Sequence, residues 1–166
     1  MSPSVSPASP GRTTEDPQEF LDAAASSGRL IGIDGGTKTL GLSLSDVTRT
    51  IASALETIRR TKFTADAARL LALAAEHGVT GLVLGLPRNL DGTEGPRAQA
   101  TRALARNLNK LSPLPILLWD ERLTTVEAER MLIDADQSRK RRSEVIDKLA
   151  ATIILQSALD RLGRQR

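Results

Sequence analysis

The chain has 166 residues, 40% of them apolar, no cysteine, and a net charge of +3 at neutral pH. That length suits one domain with a sizeable core, and the missing cysteines exclude a disulfide framework, a zinc finger and a thiol nucleophile. No apolar run is long enough for a membrane helix, and the opening MSPSVSPASPGR lacks the apolar centre of a signal peptide, so a cytoplasmic protein without a membrane partner is expected.

Charge is unevenly spread. Arg12 against Glu15, Asp16, Glu19 and Asp22 leaves residues 1–28 at −3 and the rest of the chain at +6. A basic body points to a polyanionic partner. Residues 1–13 are rich in Ser and Pro and read as a disordered arm, and residues 15–26 as a weak helix. Residues 1–28 are therefore expected to be an arm, and residues 29–166 a single folded domain.

Within that domain, Leu30–Asp34 reads as a first strand that ends on a carboxylate. Gly35 and Gly36 turn the chain, and Leu40, Leu42 and Leu44 alternate with small residues in the period of a half-buried second strand. Thr50–Ile58 reads as a third strand. Thr64–His77 has apolar residues at helical spacing and is followed by Gly78 as a C-terminal cap. Gly81–Leu86 is an unbroken apolar run, as expected of a strand buried on both faces. After the turn-rich loop 87–95, Pro96 opens a helix. Ile116–Trp119 is a further buried strand that ends at Asp120-Glu121. Thr124-x-x-Glu127 is a capping box for a helix reaching Ile133. Residues 134–143 read as a polar, mobile loop, and Glu144–Leu162 as the last helix. The expected fold is α/β: a mixed five-stranded sheet, three antiparallel strands and then two parallel ones, flanked by helices.

Parallel late strands bring their C-terminal ends to the edge that carries Asp34, where open α/β sheets bind ligands. Asp34, Asp120, Glu121 and Asp147 are the acids that reach it. Carboxylates without a His or Cys cluster form a hard oxygen set suited to Mg²⁺ or Mn²⁺. Two such ions can activate a water and stabilise the leaving oxygen of a phosphodiester. Sequence alone leaves open whether Asp120 or Glu121 faces the metal. The lone His77 reads as a helix-end partner of the dipole, and Trp119 as core.

Four segments, GIDGGTKTLGLSLSD, LGLPRNLDGTEGP, DERLTTVEAE and IDKLAATIILQSALD, in this order and spacing, closely resemble the YqgF/RuvX family over about residues 29–162. The resemblance implies an RNase H-like fold and metal-dependent phosphodiester hydrolysis. It implies a nuclease of pre-16S rRNA 5′-end maturation, with Holliday junction resolution as the alternative. It carries the acidic positions over as Asp34, Glu121 and Asp147, expected to be both catalytic and metal-binding. Asp120 stands beside them as a fourth catalytic candidate.

Lys38, Arg88, Asn89, Arg97 and Arg122 lie near the expected edge, and Arg139, Lys140, Arg141 and Arg142 run just ahead of Asp147. These are expected to hold nucleic acid, RNA or DNA, by its phosphates. With aromatics at only 2%, extended base stacking is not expected. A resolvase would act as a symmetric homodimer, and a noncatalytic RNA-binding factor would use the fold without the acids. The Asp-Gly-Gly-Thr-Lys-Thr turn also resembles the phosphate loop of the actin and sugar-kinase group, but this chain is too short for the two domains those proteins need.

Overall fold

The structure, a computed structural model, describes residues 11–124 and 139–165, and of residues 139–147 the backbone alone. In chain order the elements are β1 (Thr13–Thr14), α1 (Pro17–Ala23), β2 (Arg29–Gly35), β3 (Thr39–Ser45), β4 (Ala52–Arg59), α2 (Phe63–Glu76), β5 (Val79–Leu86), α3 (Pro96–Leu111), β6 (Ile116–Asp120), a 3₁₀ turn (Glu121–Leu123) and α4 (Arg139–Arg164). They form one sheet in the order β1-β6-β5-β2-β3-β4. The β2–β3 and β3–β4 pairs are antiparallel, whereas β2–β5, β5–β6 and β1–β6 are parallel.

Alternation along the strands sorts side chains into two cores. Ile31, Ile33, Leu82, Leu84 and Leu86 pack with Leu70 of α2 and Leu108 of α3. Leu30, Val83, Leu117 and Trp119 pack on the opposite face with Phe20 of α1 and with Ile154, Leu155 and Leu159 of α4. Trp119 is core, as expected, and only 6% exposed. Gly78, at φ +64° after α2, fills the capping role its position predicts.

One close approach fixes α4. A Cβ at Gly32 would lie 2.6 Å from Leu155 Cβ and 3.0 Å from the Ala151 carbonyl oxygen. The Ser43 hydroxyl donates to that same carbonyl at 2.7 Å. The absent side chain in β2 therefore lets the helix backbone settle onto the middle of the sheet.

Three expectations change. The sheet has six strands, not five, because Thr13 and Thr14 pair with Ile116 and Leu117 at its edge. The segment ahead of residue 29 is docked rather than loose over its described part: Asp16 caps α1 by accepting from Gln18 N–H, and Phe20 is fully buried. The last helix starts at Arg139 instead of Glu144. Arg139–Arg142 thus form its opening turn rather than a loop, and Asp147 falls in its third turn, past the reach of the N-terminal dipole. The expected helix from Thr124 to Ile133 and the loop at 134–138 lie outside the described residues, apart from Thr124, whose N–H closes the 3₁₀ turn on Glu121 O at 3.1 Å.

Candidate active site

Parallel pairing puts the C-terminal ends of β2, β5 and β6 on one edge. Ile33 is level with Leu84, Gly85 with Trp119, and Leu86 with Asp120. One residue beyond Ile33, Asp34 shares the face of Leu30, which packs in the α4 core. Gly85 falls on that same face, alternating with the oppositely directed Leu84 and Leu86.

Gly85 explains how Glu121 arrives there. Asp120 ends β6 and caps the 3₁₀ turn, and the turn carries the Glu121 side chain back over β5. A Cβ at Gly85 would lie 2.6 Å from Glu121 Oε1 and 2.6 Å from Ile154 Cδ1. The Glu121 carboxyl thus occupies space that β5 leaves vacant. Burial there, and next the negative charge of Asp34, push Glu121 up to about 7, against the pull of Arg97. Gly85→Ala is expected to displace Glu121 and Ile154 together. Crowding of this kind costs about 1–3 kcal/mol, and catalysis should fall further than stability. Thermal melting and cleavage assays on the same preparation would check both.

The raised Glu121 also predicts a pH dependence. An unfolded glutamate titrates near 4.5. Between that value and about 7 the folded chain keeps a proton that the unfolded chain has lost, so the metal-free protein loses stability as pH rises through this window. Glu121→Gln should remove the slope. It should raise the melting temperature by several degrees at about pH 8, equivalent to about 1–2 kcal/mol once partial exposure is discounted, and leave it nearly unchanged at about pH 4, below the window. Equal shifts at both values would contradict this account.

Asp120 is placed differently. Its carboxylate accepts from Arg122 N–H at 2.9 Å, from Arg122 Nη2 at 2.7 Å and from Arg88 Nη1 at 3.3 Å. These partners, Arg122 first, lower it to about 2. The two consecutive acids therefore part company: Glu121 lies over Gly85, and Asp120 turns to two guanidiniums. Among the described residues no group of three acids or histidines is close enough to hold a metal ion. Asp147 lies one turn ahead of Ala151, whose carbonyl sits over Gly32, and its side chain is outside the described residues, as are those of Arg139, Lys140, Arg141 and Arg142.

The expected phosphate-binding residues also divide. Arg88 pairs with Glu15, Glu94 and Asp120, and Arg102 with Glu94 at 2.6 Å and Glu15 at 3.3 Å. This network ties the N-terminal segment to loop 87–95. Arg122 is held by Asp120. Asn89 organises its own loop, donating from Nδ2 to Thr93 Oγ1 at 2.9 Å. Lys38 and Arg97, by contrast, line an open cleft with Arg59, Arg60 and the 36–39 turn. Sequence reasoning missed Arg59, Arg60 and Gly85. The signal for the arginines was the Arg-Arg pair closing the third strand, which antiparallel pairing sets beside the turn after Asp34: Arg59 is level with Thr39.

Among solved structures, Thermus thermophilus RuvC in complex with a Holliday junction substrate superposes with a TM-score of 0.54 at 16% identity, covering 82% of this chain and 96% of that one. The similarity shows a shared fold. Among curated relatives, a Cereibacter sphaeroides protein named "Putative pre-16S rRNA nuclease" is 64% identical over 155 residues, 92% of this chain and 97% of its own. A protein of the same name from Paracoccus denitrificans is 60% identical, covering 89% and 94%. The family model described as "RuvX: Holliday junction resolvase" matches residues 28–161, and the chain belongs to that family.

Proposed function

We propose that the chain is a metal-dependent nuclease that cleaves phosphodiester bonds in the maturation of pre-16S rRNA. The observation that carries this reading is the placing of the Glu121 carboxyl over Gly85, beside the strand end that bears Asp34 and within reach of its charge, with Glu121 pushed up to about 7. A half-buried acid beside another acid fits a cation, whose charge would offset both burial and repulsion. Asp34 and Glu121 would hold it, joined by Asp147 from α4, and the all-oxygen set suits Mg²⁺ or Mn²⁺. Such an ion, when bound, lowers the pKa of a water and polarises the phosphoryl oxygen. Asp34, on a central strand, gives the site a rigid carboxylate. Glu121 must shed its proton to act as a ligand, so metal affinity rises with pH towards about 7. Asp120 positions Arg88 and Arg122 instead of facing the reaction.

The names of the curated relatives support RNA as substrate. The family description and the fold of RuvC favour a second reading, resolution of four-way DNA junctions by two copies of the chain. No described helix is long and apolar enough to cross a membrane, and we place the protein in the cytoplasm with its RNA.

The test is cleavage of end-labelled single-stranded RNA, single-stranded DNA and a four-way junction, each with Mg²⁺, Mn²⁺ or EDTA. Cleavage of RNA that EDTA abolishes is the expected result. Preference for the junction would install the second reading. Binding without cleavage of any substrate would make the chain a noncatalytic RNA-binding factor.

A further inference from the structure

Two clefts open on either side of the sheet edge, one at Asp120 and one at the turn after Asp34, and their charge differs. On the β6 side, a cleft of about 630 Å³ is bordered by Arg88, Arg161 and Arg164 and also by Glu15, Asp120 and Asp160, so its charges cancel. On the β3–β4 side, an open cleft of about 960 Å³ is bordered by Gly36, Thr37, Lys38, Thr39, Arg59, Arg60 and Arg97, with no acid among them. Lys38, Arg59 and Arg97 are exposed and make no salt bridge among the described residues. Arg60 donates from Nη1 to Gly36 O at 2.7 Å, and its N–H bonds Lys38 O at 2.8 Å. It thereby holds the turn and still has guanidinium donors to offer.

Four cations from three separate segments, converging on a cleft that no acid lines, repel one another and bind an anion in return. Their place is set by the same strand that sets the catalytic acid, since Lys38 follows Asp34 through the β2–β3 turn. Arg97 is near enough to oppose the upward shift of Glu121.

We propose that Lys38, Arg59, Arg60 and Arg97 form a backbone-phosphate subsite that holds the substrate strand to the β4 side of the Asp34–Glu121 pair. The strand then crosses the edge from this cleft to the acids, with Arg59 and Arg60 as binding residues. Contacts to phosphate fix register and carry no base information, so the subsite sets where the strand is cut relative to its path and not which base is chosen. This inference rests on the nuclease reading above.

The test is binding of a fluorescein-labelled single-stranded RNA by anisotropy, in EDTA to stop cleavage, across a range of salt. The wild-type chain is compared with a triple variant, Lys38→Gln with Arg59→Gln and Arg97→Gln. Arg60 is kept because it holds Gly36. Each phosphate contact contributes about 0.7 to the slope of log affinity against log salt for a single strand. Loss of three should lower the slope by about 2 and weaken binding roughly tenfold or more at moderate salt, with the melting temperature unchanged. A neutral methylphosphonate is also walked along the RNA one position at a time. It should weaken wild-type binding at a short run of phosphates and have no further effect there on the triple variant.

If the triple variant matches the wild type in affinity and slope, the subsite is wrong while the nuclease reading stands. The subsite is equally wrong if Arg161→Gln with Arg164→Gln produces the loss instead. If the wild type neither binds nor cleaves any nucleic acid, both readings fall together.

Discussion

Asp34→Asn should lower the rate of metal-dependent cleavage about a thousandfold. The amide keeps the size of the carboxylate, so β2 and its partners are undisturbed, but it withdraws the charge that a cation needs. Loss of about 4 kcal/mol of stabilisation corresponds to that factor, and it is within what a bound metal contributes to a developing phosphoryl charge. The same change should act on Glu121 in the opposite direction. Asp34 is the main charged group that raises Glu121, so its removal relieves that repulsion, and Glu121 should titrate lower in the variant than in the wild type. An inactive protein that is as stable as its parent separates a chemical role from a folding one. Cleavage of end-labelled RNA at saturating Mg²⁺ or Mn²⁺, with melting followed by circular dichroism, gives both values. Retained activity would remove Asp34 from the site.

Phe20→Ala should destabilise the whole domain by about 3–5 kcal/mol, the usual cost of emptying a buried aromatic site. The ring is fully buried, and it lies so close to β5 that a Cβ at Gly81 would come within 2.7 Å of Cζ. It joins Leu30, Val83, Leu117 and Leu159 in the α4-side core. For a chain of this size the melting temperature should fall by roughly 10 °C. A loosely attached arm would give a different result, since surface changes usually fall within about 0.5 kcal/mol. Activity at low temperature should survive where the fold does, because the ring packs at the Gly81 and Leu30 ends of β5 and β2, whereas Asp34 lies near the opposite end of β2.

Much of this architecture is legible from residue order. The runs LIGID, GLVLGL and ILLW are apolar, short and bounded by turn formers, which allows only buried strands, and the helices between the late strands dictate parallel pairing. What escaped has physical causes. β1 is two threonines long and exists only because β6 offers an edge; no periodicity can announce it. The basic run Arg139–Arg142 looked like a loop because it is polar, yet Lys and Arg are good helix formers, and the helix simply continues through them.

At the site, Asp34 stood out because a single carboxylate closes an apolar strand. The choice between Asp120 and Glu121 did not, since it depends on a 3₁₀ turn that sends consecutive side chains in different directions and on a glycine one strand away. Arg59 and Arg60 became neighbours of the turn after Asp34 only through the register of β3 on β4.

The contact at Gly32 bears on how firmly the proposed site is held. Where a helix rests on a sheet through intervening side chains, the gap can widen by a rotamer change. Here main chain meets main chain, and the Ser43 hydroxyl fastens the Ala151 carbonyl. Acids mounted on β2 and on α4 are therefore carried on supports that cannot drift apart. The ordering cost of such a frame is met during folding, before any ion arrives. A frame that does not stretch keeps the spacing it was folded with, so an ion of a different radius would have to distort it. Any preference among ions at the proposed site would then be a property of helix-to-sheet spacing as much as of the acids themselves.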